Sequence, residues 1–116
     1  VGASAGNANT TGDYNTFMGG LTGDAITVGG ANVAIGLSAL TADTAGSYSV
    51  AIGMQALMTQ NFTTAASSYN VAVGHSAGSA VTTGLNNTII GALAGYALTD
   101  ADRNVAIGYQ ALTAET

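Results

Sequence analysis

Short runs of alternating apolar residues recur along the chain, and each is closed by a glycine. Clear copies are Val33-Ala34-Ile35-Gly36, Val50-Ala51-Ile52-Gly53, Val71-Ala72-Val73-Gly74 and Val105-Ala106-Ile107-Gly108. Diverged copies are Thr16-Phe17-Met18-Gly19 and Thr88-Ile89-Ile90-Gly91. Asn or Ser stands before each run, at Asn15, Asn32, Ser49, Asn70, Asn87 and Asn104, so the steps are 17, 17, 21, 17 and 17 residues. A repeat this regular predicts stacked coils before any local propensity is weighed. The 21-residue copy predicts a bulge near Thr59 to Ala66.

Numbering each copy from its Asn or Ser turns the chain into columns. The fifth column is glycine throughout, at Gly2, Gly19, Gly36, Gly53, Gly74, Gly91 and Gly108. The eighth is Ala in every copy but one, where it is Thr22, and Thr recurs at the thirteenth, as at Thr27 and Thr44. A Val-Ala-Ile triplet sends its two β-branched side chains to one face of a strand and its Ala to the other. The glycine after it suits a corner. A second extended stretch, such as Ala42-Asp43-Thr44, completes each coil. Glycine at so many positions opposes long helices, although Gln55 to Met58 and Tyr109 to Leu112 have room for one helical turn each.

The pattern predicts an all-β fold: a repetitive β-solenoid or β-roll with a 17-residue coil, a single array over residues 1–116. At ~4.8 Å per coil, about seven coils make a rod roughly 30 Å long. The first-column Asn and the Thr column are expected to form ladders between coils. Val33, Ile35, Val50, Ile52, Val71, Val73, Val105 and Ile107 are expected to form the inner core. The glycines at 19, 36, 53, 74, 91 and 108 (Gly19, Gly36, Gly53, Gly74, Gly91 and Gly108) are expected at corners.

Composition moves the question from a pocket to a surface. Hydrophobic residues make up 47% of the chain but charged residues only 6%, and the apolar residues are mostly small, which makes for a thin core. The third column, Ala34, Ala51, Ala72 and Ala106, is then expected to face outward and pack against another copy of the chain. Net charge is −5, with one Arg and no Lys. Nucleic-acid binding needs clustered cations, so no nucleic-acid partner is expected. No apolar run is long enough to insert in a membrane as a helix.

Candidate chemistry is sparse. There is no Cys, and His75 is the only His, so no metal site and no nucleophile–base pair is read from the chain. Asp100 and Asp102 lack a calcium-loop pattern around them and read as a solvated turn beside Arg103. No catalytic residue or cofactor is assigned, and an enzyme is not expected. Tyr14, Tyr48 and Tyr69 share the position just before the next copy, where rings stack or meet sugars. If the segment binds anything, variable outward positions are the candidates: Met54, His75 and Tyr109 in the sixth column, and Asn61 and Phe62 in the extra loop.

The stretch Asn104 to Leu112 (Asn-Val-Ala-Ile-Gly-Tyr-Gln-Ala-Leu) resembles repeats of bacteriophage tail fibres. Ser49 to Gly53 is similar to the head repeats of trimeric autotransporter adhesins. The resemblance implies a parallel homotrimer of β-rolls with small apolar residues near the threefold axis. Starting and ending inside a repeat, the chain is expected to be an excerpt of a longer fibrous protein, which the resemblance locates in a virion tail fibre or, alternatively, on a bacterial outer surface. The expected role is a rigid shaft that contributes to host attachment, with a host-surface glycan or protein as further partner. Alternatives are an adhesin head and, from the Thr column, an ice- or mineral-binding solenoid. The adhesin repeat is shorter than this one, so coil shape does not carry over.

Overall fold

A computed structural model describes residues 1–113, and among them there is no helix. Six three-residue strands stack in parallel into one sheet: β1 (Thr16–Met18), β2 (Val33–Ile35), β4 (Val50–Ile52), β6 (Val71–Val73), β7 (Thr88–Ile90) and β8 (Val105–Ile107). Two shorter strands, β3 (Gly46–Ser47) and β5 (Ala66–Ser67), pair in a second, two-stranded sheet. Equivalent columns lie in register from coil to coil, as in Ala34 against Ala51 and Ala51 against Ala72. The result is a parallel β-solenoid with extents of 42 × 25 × 16 Å.

Backbone hydrogen bonds run along the stack through the turns as well as the strands. Gly53 N–H donates back to Ile35 O (2.7 Å), and Val50 N–H donates forward to Asn70 O (2.8 Å). In the segment after the corner, the seventh and ninth columns adopt left-handed backbone angles. Gln55 and Leu57 have φ of 62° and 48° and Gln110 and Leu112 of 57° and 52°, so neither segment is the helical turn that the sequence left room for. Left-handed angles cost an L-residue roughly 1–2 kcal/mol. Here they turn alternate peptides onto the stacking axis: Gln55 N–H reaches Leu37 O (2.9 Å) and Leu57 N–H reaches Ala77 O (3.0 Å). A helical turn would leave neighbouring coils without those partners.

The interior is the reverse of the one the triplets suggest. Ala34, Ala51, Ala72 and Ile89 are fully buried and Ala106 almost so, in one cluster with Ala39, Leu40, Ala56 and Leu57. Val33, Ile35, Val50, Ile52, Val71 and Val73 point outward and are only partly buried. Val105 and Ile107 are 67% and 64% exposed. The β-branched pair is therefore not the core, and the Ala column faces into its own coil, not outward as expected. The reason is room: a 17-residue coil encloses a narrow lumen, already filled from the opposite wall by the ninth column.

Size matching within the chain shows how tight that lumen is. In the coils of Ala34 and Ala51 the ninth column is Leu40 and Leu57, both fully buried, whereas the coil of Ala72 carries Gly78, whose added Cβ would lie 3.0 Å from Ile89 of the next coil. Where the third column is large, the ninth is glycine. A Cβ on Gly23 would lie 2.5 Å from the Phe17 ring, one on Gly6 2.7 Å from it, and one on Gly95 3.0 Å from Ile89 Cδ1. Interiors pack at crystal density, so a side chain here displaces another. Gly23→Leu alone is expected to cost about 2–4 kcal/mol through overpacking, and Phe17→Ala alone about 2–4 kcal/mol through a cavity. The double variant recreates the Ala34–Leu40 arrangement and should recover more than half of the summed loss in urea titrations.

Side-chain ladders reinforce the stack mostly through the backbone. Asn15 Oδ1 accepts Asn32 N–H (2.9 Å), and Asn32 Nδ2 donates to Gly46 O (2.9 Å); Asn70 and Asn87 repeat the scheme. Thr hydroxyls donate to the next coil's carbonyl, as in Thr27 Oγ1 to Thr44 O (3.1 Å) and Thr82 Oγ1 to Thr99 O (3.1 Å).

Candidate interaction surfaces

The interruption of the Asn column at Ser49 is closed by a buried polar network. Asp43 and Gln60 sit in the twelfth column, where other coils carry Ile26, Val81 and Leu98, and both are fully buried. The Asp43 carboxylate accepts from Gly46 N–H (3.0 Å), Phe62 N–H (3.0 Å) and Gln60 Nε2 (2.7 Å). Gln60 also donates to Ser49 Oγ (2.9 Å) and accepts from Asn70 Nδ2 (2.8 Å). Among the described residues no buried side-chain nitrogen or oxygen lacks a partner. Every member is engaged, so the network offers no open valence to a ligand; it positions the longer coil.

The extra loop is narrower than the sequence suggests. Phe62 is 9% exposed, and its carbonyl accepts from Ala45 N–H (2.8 Å) and Thr44 Oγ1 (2.9 Å). It is therefore part of the wall, not a receptor-facing side chain, because an aromatic ring gains more from burial than a loop tip offers. Asn61 is exposed, and the solvent-facing bulge is Thr63 to Ala65. In the sixth column Met54, His75 and Tyr109 are exposed. His75 Nε2 lies 3.5 Å from Ser76 Oγ, at the outer limit of contact.

Three surface features stand out. The first is the outer face of the six-stranded sheet, an uncharged ribbon of Val and Ile, with Met18 at one end and Thr16 and Thr88 as its polar members. The second is the tyrosine column. Tyr48 and Tyr69 stack with ring centroids 5.1 Å apart and planes 13° apart, while Tyr14 stands alone beyond Ala31. The third is a cleft of about 400 Å³ in the turn segment after the sheet, lined by Gln55, Met58, Thr59, Ser76, Ser79, Ala80 and Tyr96. The sequence reading passed over this cleft. Its signal is in the tenth column, where Ser79 falls between Met58 and Tyr96.

Acidic groups do not converge: among the described residues no three of His, Asp and Glu are placed to hold a metal ion. Asp102 accepts Leu85 N–H of the preceding coil (2.7 Å), and Asp100 accepts Thr99 Oγ1 within its own turn (3.2 Å). Among the described residues no helix is long and apolar enough to cross a membrane. The chain matches no family model, no curated protein and no solved structure.

Proposed function

We propose that this chain is a rigid shaft segment of a homotrimeric phage tail fibre, whose subunits meet through the outer Val/Ile face of the six-stranded sheet. The observation that carries the assembly is that face. Parallel sheets are characteristically covered on both sides, and exposed apolar patches of more than a few hundred Å² mark interaction surfaces. Here one side is lined by the chain's own interior, and the other carries Val33, Ile35, Val50, Ile52, Val71 and Val73 in register. The contact once expected of Ala34, Ala51, Ala72 and Ala106 passes to their strand neighbours. The fibre context rests on the likeness of Asn104 to Leu112 to tail-fibre repeats. Stiffness follows from coils tied to each other at nearly every turn.

Sedimentation equilibrium at micromolar concentration tests the assembly. The parent chain is expected at three times its 11.2 kDa mass. Ile52→Glu places three carboxylates against one another in a poorly solvated interface, which costs several kcal/mol. That variant should sediment as a monomer and keep the parent's far-ultraviolet spectrum. A parent chain that is monomeric and folded under these conditions would refute the proposal.

A further inference from the structure

We propose that the cleft between Met58 and Tyr96 binds one neutral pyranose unit of a glycan, which gives the attachment role of the fibre segment a ligand class. The cleft lies on the turn segment beyond the sheet, so it stands apart from the proposed subunit face, and it arises from a break in the repeat. Tenth-column residues stack one above another, and at ~4.8 Å per coil Met58 and Tyr96 stand ~9.6 Å apart with Ser79 between them. A saturated six-membered ring in van der Waals contact with both walls fills a slot of that width.

The lining has the chemistry of neutral sugar recognition. Tyr96, 55% exposed, offers a ring face to the C–H side of a sugar, and Met58 supplies a pliable opposite wall. The Ser79 hydroxyl makes no hydrogen bond among the described residues and is not sealed in the wall, so it opens to the cleft that Ser79 lines. At the cleft it is placed to exchange a hydrogen bond with a ligand hydroxyl. Gln55 and Ser76 line the same cleft and hold each other only at 3.4 Å, which leaves the Gln55 amide N–H₂ available. The Thr59 hydroxyl, in contrast, is committed to Ser79 O (2.6 Å) and Val81 O (3.0 Å) and shapes the floor. No charged side chain lines the cleft, and the chain's net charge is −5. Both select against anionic sugars. A few convergent polar groups within an otherwise apolar concavity is the general form of a small-ligand site.

The repeat itself supplies substitutions that test the site without disturbing the coil. Met and Thr occupy the tenth column elsewhere, at Met58, Thr41 and Thr113, so Ser79→Met fills the cleft and Tyr96→Thr removes its wall within the range the stack tolerates. The probes are the methyl glycosides of glucose, galactose and N-acetylglucosamine, with N-acetylneuraminic acid as the anionic control, observed by saturation-transfer NMR on the assembled parent protein. At least one neutral glycoside is expected to receive saturation, and the anionic sugar none. Each variant should weaken binding by about tenfold or more, with its circular dichroism and sedimentation unchanged. Absence of transfer to all three neutral glycosides overturns the proposal, as does equal binding by the parent and both correctly assembled variants. Either result leaves the subunit proposal untouched, because mass and spectrum report on that separately.

Discussion

Ala51→Glu is expected to abolish the folded coil stack, not merely its assembly. Ala51 is fully buried between Ala34 and Ala72 in the lumen, in a cluster of apolar side chains that offer a carboxylate no hydrogen-bond donor. An unpaired buried charge costs several kcal/mol even after relaxation, and the added length collides with a lumen that accepts larger side chains only opposite glycine. Small domains have only ~5–15 kcal/mol to lose. The far-ultraviolet β signal should be lost or the melting transition should fall by tens of degrees. The informative comparison is Ile52→Glu, one residue along the same strand and facing out. It should stay folded. If the two variants exchange outcomes, the assigned faces of the strand are reversed.

Gly53→Ala is the second large effect. Gly53 has φ of +130°, and a Cβ placed on it would lie 2.4 Å from the carbonyl oxygen of Gly74 in the next coil. Neither backbone can yield without breaking the corner ladder in which Gly53 N–H meets Ile35 O and Gly74 N–H meets Ile52 O. Strain at such an angle costs ~1–3 kcal/mol, and overpacking adds ~1–3 kcal/mol. Gly108 shares the angle, at φ +120°, but nothing lies within 4 Å of its added Cβ. Gly108→Ala should therefore cost only the strain. Urea midpoints at one fixed protein concentration, needed because assembly is linked to stability, should rank Gly53→Ala well below Gly108→Ala. Equal losses would mean that steric contact between coils contributes nothing at the corner.

Part of the fold is legible in individual residues. The spacing of the Asn-x-x-x-Gly units places the strands, and the fixed period puts Val50 opposite Val33 and Val71 opposite Val50. Hydrophobicity misleads on which side is inside. Val and Ile are larger and more apolar than Ala, and in most sheets they would take the core. The contrary signal was present in the glycines. Gly6 and Gly23 flank Phe17, Gly78 and Gly95 flank Ile89, and Leu40 and Leu57 accompany Ala34 and Ala51. A third-column residue that trades volume with the ninth must share a cavity with it. Phe62 misled for a related reason: an insertion reads as surface, yet its first residues continue the wall and only Thr63 to Ala65 leave it.

The sequence by itself determined the repeat, the coil length, the in-register parallel stacking, the sites of the corners and the position of the interruption. All of these depend on periodicity along one dimension. Only the tertiary structure decided which face of each strand is interior, because that depends on the width of the closed lumen and no single repeat encodes it. The same holds for the surfaces. The Val/Ile ribbon becomes a candidate interface only once the Ala column has been placed inside. The Met58–Tyr96 cleft exists only because residues distant in sequence are brought to adjacent levels of the stack, with a small Ser79 between two large side chains.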